Sequence, residues 1–264
     1  MGKVGFIGCG NMGGALARAA AKSDADLWLA DGLAEKAEEL AAELGGHAAD
    51  NEALAAGCDW LFLGVKPQVM PAVLGALAPV LSKRLDRFVL VTMAAGLSVA
   101  RIRELCGADY PVIRIMPNTP AAVGKGMILY TAEGVTDEEE AEFVRFMDGA
   151  GRFDRIPEAL IDAGSAISGC GPAFACQFME ALADGGVTCG LPRDKALLYA
   201  AQMLAGTAEL MLQTGQHPGV LKDAVCSPGG STIQGVRRLE QGSFRADIID
   251  AVVAAYERTK ELGK

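Results

Sequence analysis

Over the first 157 residues, short apolar runs alternate with stretches of helical period. The runs lie at residues 4–7, 27–30, 60–65, 88–92, 112–116 and 127–131. Between them, residues 35–44 and 69–77 repeat their apolar positions every three or four residues, the period of an amphipathic helix. Thr136 and Glu139 have the spacing of a capping box, opening a further helix that ends near Gly149. Strand and helix in alternation predict an α/β fold with a parallel, doubly wound sheet covered on both faces.

From Pro157 onward the pattern changes to long Ala- and Leu-rich segments of helical period. Pro172 and Pro192 stand where a helix starts, Gly190 and Gly215 where one stops. The predicted helices cover residues 158–167, 172–189, 192–214, 232–241 and 244–262. A boundary near Pro157 therefore separates an α/β domain, 1–157, from an all-helical one, 158–264. Between residues 196 and 211, Leu197, Leu198, Tyr199, Met203, Leu204, Leu210 and Met211 leave little of the helix polar. A helix apolar all round is buried, and roughly a hundred residues make a thin core. Burial against a second copy of the chain is the expectation; packing only onto its own first domain is the alternative.

Composition narrows the class. Hydrophobic residues make up 51% of the chain, yet the longest charge-free run, 163–179, is interrupted by Gly169, Gly171 and Pro172. No transmembrane helix is expected, since one needs about 20 apolar residues in a row. The net charge of -9 disfavours a nucleic-acid partner, which calls for a basic face. Seven scattered cysteines make no disulfide framework, and the N-terminus enters a strand pattern without an export signal. A soluble chain in a reducing cytoplasm is the expectation.

The first run leads into Gly8-Cys9-Gly10-Asn11-Met12-Gly13 and then a helix. A GxGxxG between strand and helix is the dinucleotide-binding fingerprint: Gly8 for the tight turn, Gly10 for close approach of the pyrophosphate, Gly13 for packing of the helix. An acid that reads the ribose is expected about 20 residues on, and Asp31 stands there. A carboxylate favours the free hydroxyls of NAD over the 2′-phosphate of NADP; a solvated Asp at a strand end is the alternative. Val65-Lys66-Pro67 and Ala94-Ala95-Gly96 close the third and fourth runs, at strand ends where such sheets bind ligands. Lys66 reads equally well as a surface lysine.

His47 and His217, the only histidines, lack ligand partners at metal-binding spacing, so no metal site is expected. Cys170 and Cys176 read as core thiols. The segment Asp223-Ala224-Val225-Cys226-Ser227-Pro228-Gly229-Gly230-Ser231-Thr232-Ile233 is a loop of small residues emptying into a helix. Its free amides make an anion site, suited to a carboxylate substrate; an ordinary capped helix start is the plainer reading.

This loop, with Gly242-Ser243-Phe244-Arg245 after it, resembles the signature of pyrroline-5-carboxylate reductases, which complete proline synthesis. The resemblance extends along the chain through Gly5 to Gly13, Val65-Lys66-Pro67-Gln68, Met116-Pro117-Asn118-Thr119-Pro120, Ser168-Gly169-Cys170-Gly171-Pro172-Ala173-Phe174 and Gly190-Leu191-Pro192. It implies a Rossmann-type NAD(P)-binding domain, 1–157, and a helical substrate-binding and dimerisation domain, 158–264. It also implies reduction of 1-pyrroline-5-carboxylate to L-proline by hydride from NADPH or NADH. By the resemblance, the backbone of Gly230, Ser231 and Thr232 holds the substrate carboxylate with the Ser227 hydroxyl. The Thr232 hydroxyl lies by the ring nitrogen as the catalytic group, and Asn51 touches the adenosine side of the cofactor. A homodimer, in some members a decamer of five dimers, is implied as well. Asp31-Gly32-Leu33 departs from the Ser, Thr or Arg frequent in the family at this place. Two other readings stay open: a β-hydroxyacid type dehydrogenase, although no lysine lies between Pro157 and Pro192, and a non-catalytic NAD(P) sensor.

Overall fold

The computed structural model describes residues 2–262. β1 (Lys3–Ile7) leads to α1 (Asn11–Ala20), β2 (Asp26–Ala30) to α2 (Ala34–Leu44), and a two-residue β3 (His47–Ala48) to α3 (Asn51–Gly57). Then come β4 (Trp60–Leu63), α4 (Met70–Leu81), β5 (Val89–Thr92), α5 (Val99–Cys106) and β6 (Val112–Met116). A 3₁₀ turn (Thr119–Val123) joins β6 to β7 (Gly126–Glu133), and α6 (Asp137–Met147) joins β7 to β8 (Gly151–Arg155). The rest is helical: α7 (Glu158–Ser168), α8 (Gly171–Thr188), α9 (Arg193–Thr214), α10 (Pro218–Ala224), α11 (Ser231–Gln241) and α12 (Phe244–Leu262). The Thr136–Glu139 capping box is formed at α6.

The eight strands form one sheet in the order β3-β2-β1-β4-β5-β6-β7-β8. The expectation of a wholly parallel sheet needs correction at β7, which runs antiparallel to β6. A parallel return requires a crossover of about a dozen residues or more. The short link through Pro117 and the 3₁₀ turn supports only a reversal. α6 then gives a proper crossover, and β8 lies parallel to β7.

Side chains of the central strands alternate between two cores. Phe6, Trp60, Phe62, Val91 and Ile113 share one face with α1, α2 and α6; Ile7, Leu61, Leu63 and Leu90 share the other with α3, α4 and α5. Phe6 stacks on Phe62 with ring centroids 4.3 Å apart, and Phe143 and Phe146 of α6 close over them. These rings anchor β1 and β4, the two strands whose C-terminal ends flank the glycine turn.

Two compact units are present. The first runs to Cys170 and takes in the end of α12 from Ala255; the second is Gly171–Ala254. The packing break thus falls at Gly169-Cys170-Gly171 rather than at the composition break near Pro157. α7 stays with the sheet because Ile161 is buried with Met116 and Leu129 of β6 and β7. The segment Glu158–Thr188, counted as one helix, does meet the length and hydropathy of a membrane span, contrary to the expectation from composition. It is divided at Gly169 and Cys170, however, into helices of 11 and 18 residues, and the first packs on the sheet.

In the second unit, α8 and α9 form a hairpin in which Ala196 and Ala200 are buried. Leu198, Tyr199, Leu210 and Leu212 of α9 are exposed by half or more in the single chain. The all-round apolar pattern of this helix is therefore not satisfied within one copy.

Candidate active site

The strand order reverses at β1, with β2 and β3 on one side and β4 onward on the other. Ligands of open α/β sheets bind at the C-terminal ends of strands at such a point. There Gly8 has φ +105°, a conformation open to glycine, and a Cβ on it would stand 2.7 Å from the Gly64 carbonyl oxygen. A side chain on Gly13 would collide with the carbonyl of Gly8, so α1 packs directly on the turn. Gly10 is the N-cap of α1 and has empty space where a Cβ would be.

No side chain caps α1, and no acid stands in its first turn. Its leading amides, from Asn11, Met12 and Gly13, are thereby free for an anion. The cradle is electrically suited to phosphate: the Cys9 thiol is pushed up to about 11, first by burial and then by the charge of Asp31, so it stays neutral. A dinucleotide pyrophosphate fits this turn on two counts: open space at Gly10 and uncapped amides at the start of α1.

Asp31 comes directly after β2. Its carboxylate accepts the Cys9 amide at 2.7 Å and the Leu33 amide at 3.0 Å. The sequence placed Asp31 near the turn but gave no sign of its bond to Cys9, which depends on how β2 lies beside β1. Asn51, half-buried, opens α3 behind the N-cap Asp50, whose side chain accepts the Ala53 amide. Val65 and Pro67 are half-buried after β4, and Lys66 is exposed. After β5, Ala94 is buried, Ala95 exposed, and Gly96 left-handed at φ +76°. All thirteen cofactor candidates thus belong to the first unit, at or near the C-terminal ends of β1, β2, β4 and β5 and at the head of α3.

Residues outside the cofactor and substrate candidates support this end of the sheet. Asn118 is buried: its side-chain oxygen accepts the Met127 amide at 2.9 Å and its nitrogen donates to the Ser168 carbonyl at 2.8 Å. It fastens the exit of β6 to the start of β7 and the end of α7. Arg114 on β6 is 4% exposed and pairs with Glu158 and Asp162 of α7, at 3.1 and 2.9 Å. Glu158 also accepts the Val99 amide at 2.8 Å and so helps to cap α5, just past Ala94-Ala95-Gly96. The Met116-Pro120 motif marked Asn118 in the sequence, but nothing local marked Arg114.

The substrate candidates belong to the second unit. α11 begins at Ser231 with Gly230 as its N-cap, with no side-chain cap and no acid in its first turn. The plainer reading, a helix start capped by Ser or Thr, is therefore not what forms. The loop is a tight turn: Gly229 is left-handed at φ +71°, and the Gly230 amide donates to the Ser227 carbonyl at 3.0 Å. A side chain on Gly230 would collide with the Ser227 hydroxyl, so both line the same turn. Ser227, Ser231 and Thr232 are exposed in the single chain.

Comparison with known proteins fits both halves. Residues 158–262 match the family described as pyrroline-5-carboxylate reductase dimerisation, and residues 3–96 the family described as NADP oxidoreductase, coenzyme F420-dependent. Over 268 residues the chain is 39% identical to the pyrroline-5-carboxylate reductase of Escherichia coli, covering 99% of this chain and 98% of that one. The chain belongs to the pyrroline-5-carboxylate reductase family. The enzyme of Arabidopsis thaliana is 40% identical over 99% of this chain and 96% of its own length. Among solved structures, the Coxiella burnetii reductase superposes with a TM-score of 0.91 at 30% identity, covering 100% of this chain and 99% of that one. The Plasmodium falciparum reductase, solved with NADP bound, superposes at 0.87 with 32% identity over 99% and 98% of the two chains. Like the family, this chain is a Rossmann-type domain followed by a helical dimerisation domain, and an NAD(P)H-dependent oxidoreductase of proline biosynthesis. The family assignment answers the two open readings: the chain is neither a β-hydroxyacid dehydrogenase nor a sensor.

Proposed function

We propose that the turn before α11 holds the substrate carboxylate and that Thr232 is the catalytic group of this reductase. The observation that carries the reading is the bare N-terminus of α11: uncapped amides at Ser231 and Thr232, with the Ser227 hydroxyl beside Gly230, whose own amide closes the turn onto the Ser227 carbonyl. Such an end stabilises an anion through its N–H groups and the helix dipole. On the other unit, Gly8, Gly10, Asn11, Met12 and Gly13 hold the pyrophosphate, with Asp31 and Asn51 toward the adenosine. Val65, Lys66 and Pro67 and Ala94, Ala95 and Gly96 lie toward the nicotinamide ribose.

The bound nicotinamide supplies the hydride. The chain needs no strong acid, because a cyclic imine is basic enough to be protonated near neutral pH, and the iminium already accepts hydride. What the residues supply is orientation: the carboxylate anchored at the Ser227 hydroxyl and the Ser231 and Thr232 amides, and the ring nitrogen met by the Thr232 hydroxyl, which donates or accepts without charge. We further propose that the protein works in the cytoplasm as a homodimer, assembling up to five dimers, with 1-pyrroline-5-carboxylate and L-proline as its ligands and neither membrane nor nucleic acid as a partner.

The test compares 1-pyrroline-5-carboxylate with 1-pyrroline, which lacks the carboxylate. The parent enzyme is expected to show a KM at least about tenfold higher for 1-pyrroline, a gap that Ser227→Ala narrows by raising KM for the carboxylate alone. Equal KM values for the two imines would remove the carboxylate from this turn.

A further inference from the structure

We infer that Asp31 makes this chain select NADH over NADPH. The inference rests on the reading of the glycine turn as the dinucleotide site, and it departs from the relative solved with NADP bound. Three features of the β2–α2 connection carry it.

The first is that the carboxylate is clamped. One oxygen takes the Cys9 amide from the glycine turn and the other takes the Leu33 amide from the start of α2. Each oxygen keeps a second lone pair, enough to accept a ribose hydroxyl. A carboxylate held from both sides cannot rotate away from a phosphate, so like-charge repulsion is not relieved by a change of rotamer. The charge reaches its surroundings, for it adds to burial in raising the Cys9 thiol.

The second is the lack of a free arginine, the side chain that grips a phosphate with two parallel bonds. From Gly32 to Glu35 the chain offers Gly, Leu, Ala and Glu, and the first turn of α2 carries one acid, Glu35, beside one base, Lys36, for no net charge. Lys36 is exposed. The arginine of α1, Arg18, has its Nε and Nη2 committed to Glu43, at 2.7 and 2.6 Å. A 2′-phosphate, with nearly two negative charges at neutral pH, meets a fixed carboxylate and finds no free guanidinium among these residues.

The third is room. Gly32 has ordinary φ and nothing within 4 Å of where a Cβ would stand. Space for a phosphate-binding side chain is present, and the chain leaves it empty.

The experiment is isothermal titration of the full chain with ADP-ribose and with 2′-phospho-ADP-ribose, which reports binding without turnover. The expected result is tighter binding of ADP-ribose by at least about tenfold, a gap that narrows as added salt screens the charges. Asp31→Asn is expected to shrink the gap at least about fivefold. Gly32→Arg, which keeps Asp31 and its two backbone bonds, is expected to strengthen 2′-phospho-ADP-ribose at least about tenfold. Equal or tighter binding of the 2′-phospho ligand by the parent overturns the preference and leaves the dinucleotide site standing. Failure of both ligands to bind overturns the preference and the dinucleotide site together.

Discussion

Glu158 Oε1 lies 3.1 Å from Nη1 of Arg114 and, through the same oxygen, 2.8 Å from the Val99 amide. One carboxylate thus compensates a buried guanidinium and caps the helix behind the Ala94-Ala95-Gly96 loop. Asp162 takes the other arm of Arg114 at 2.9 Å. Either acid alone leaves the arginine one partner, so single removals are expected to be mild and the double removal severe. Glu158→Ala should cost about 1–3 kcal/mol through the lost bonds, and Asp162→Ala about the same or less. The double variant should exceed their sum, because it strips the buried guanidinium of both its partners. Urea unfolding of the four proteins closes the cycle; strict additivity would show that Arg114 is not shared in this way.

The buried thiols give the pH dependence a sign. Burial pushes Cys58 and Cys106 up to about 12, whereas an unfolded thiol titrates near about 8.5. A raised folded pKa means stability that is complete below the unfolded value and is lost as pH rises through the window between the two. The melting temperature should therefore fall progressively from about pH 8.5 upward, and Cys106→Ala should flatten that fall. Native protein treated with iodoacetamide at pH 8 should keep Cys58 and Cys106 unmodified, as read by peptide mass spectrometry. Labelling of either one at the rate of a free thiol would contradict its burial.

The strands of the sheet centre were legible because they are short apolar runs buried on both faces, as Trp60 to Leu63 shows. β8 was not, since its Arg152, Asp154 and Arg155 are exposed at the sheet edge and leave no hydrophobic signal. β3, with two exposed residues, left none either. The direction of β7 was hidden because an apolar run reads alike in both directions; only the length of its connection decides. That α7 packs on the sheet was not legible because its sequence is as helical as that of α8, and what ties it there is long-range: Ile161 against Met116 and Leu129, Arg114 to Glu158 and Asp162, and Asn118 to Ser168. In the site, the glycine turn could be read from spacing alone, whereas the Cys9–Asp31 bond joins two strands and has no local sequence mark.

Assembly can be probed through α9. Leu198 and Leu212 are 57% and 63% exposed in the single chain, and fourteen residues of helix bring them to nearly the same face. Apolar side chains in such number on one helix call for a covering partner. Leu198→Glu is expected to shift the protein from dimer toward monomer in sedimentation velocity at micromolar concentration, with little change in helix content by circular dichroism. Leu85, fully exposed after α4 in the first unit, serves as the control, and Leu85→Glu should leave the assembly unchanged. A parent protein that is already monomeric and active at that concentration would remove the dimer.

Thr232 distinguishes positioning from proton transfer. Its hydroxyl stands in the first turn of α11, beside amides that no side chain caps. Thr232→Val keeps the shape and deletes one hydrogen bond, a loss of roughly 1–3 kcal/mol, or about five- to a hundred-fold in kcat/KM. If the hydroxyl only orients the ring nitrogen, that factor should hold across pH, because parent and variant then draw on the same iminium formed in solution. An obligatory proton donor would give a larger loss that eases at low pH, where the iminium arrives preformed. Thr232→Ser should retain most activity under either role, since the hydroxyl survives. The expected outcome is the moderate, pH-independent loss, measured as kcat/KM from pH 6 to 9 for the parent and both variants. Turnover of Thr232→Val equal to the parent at neutral pH would show that the ring nitrogen does not meet this hydroxyl.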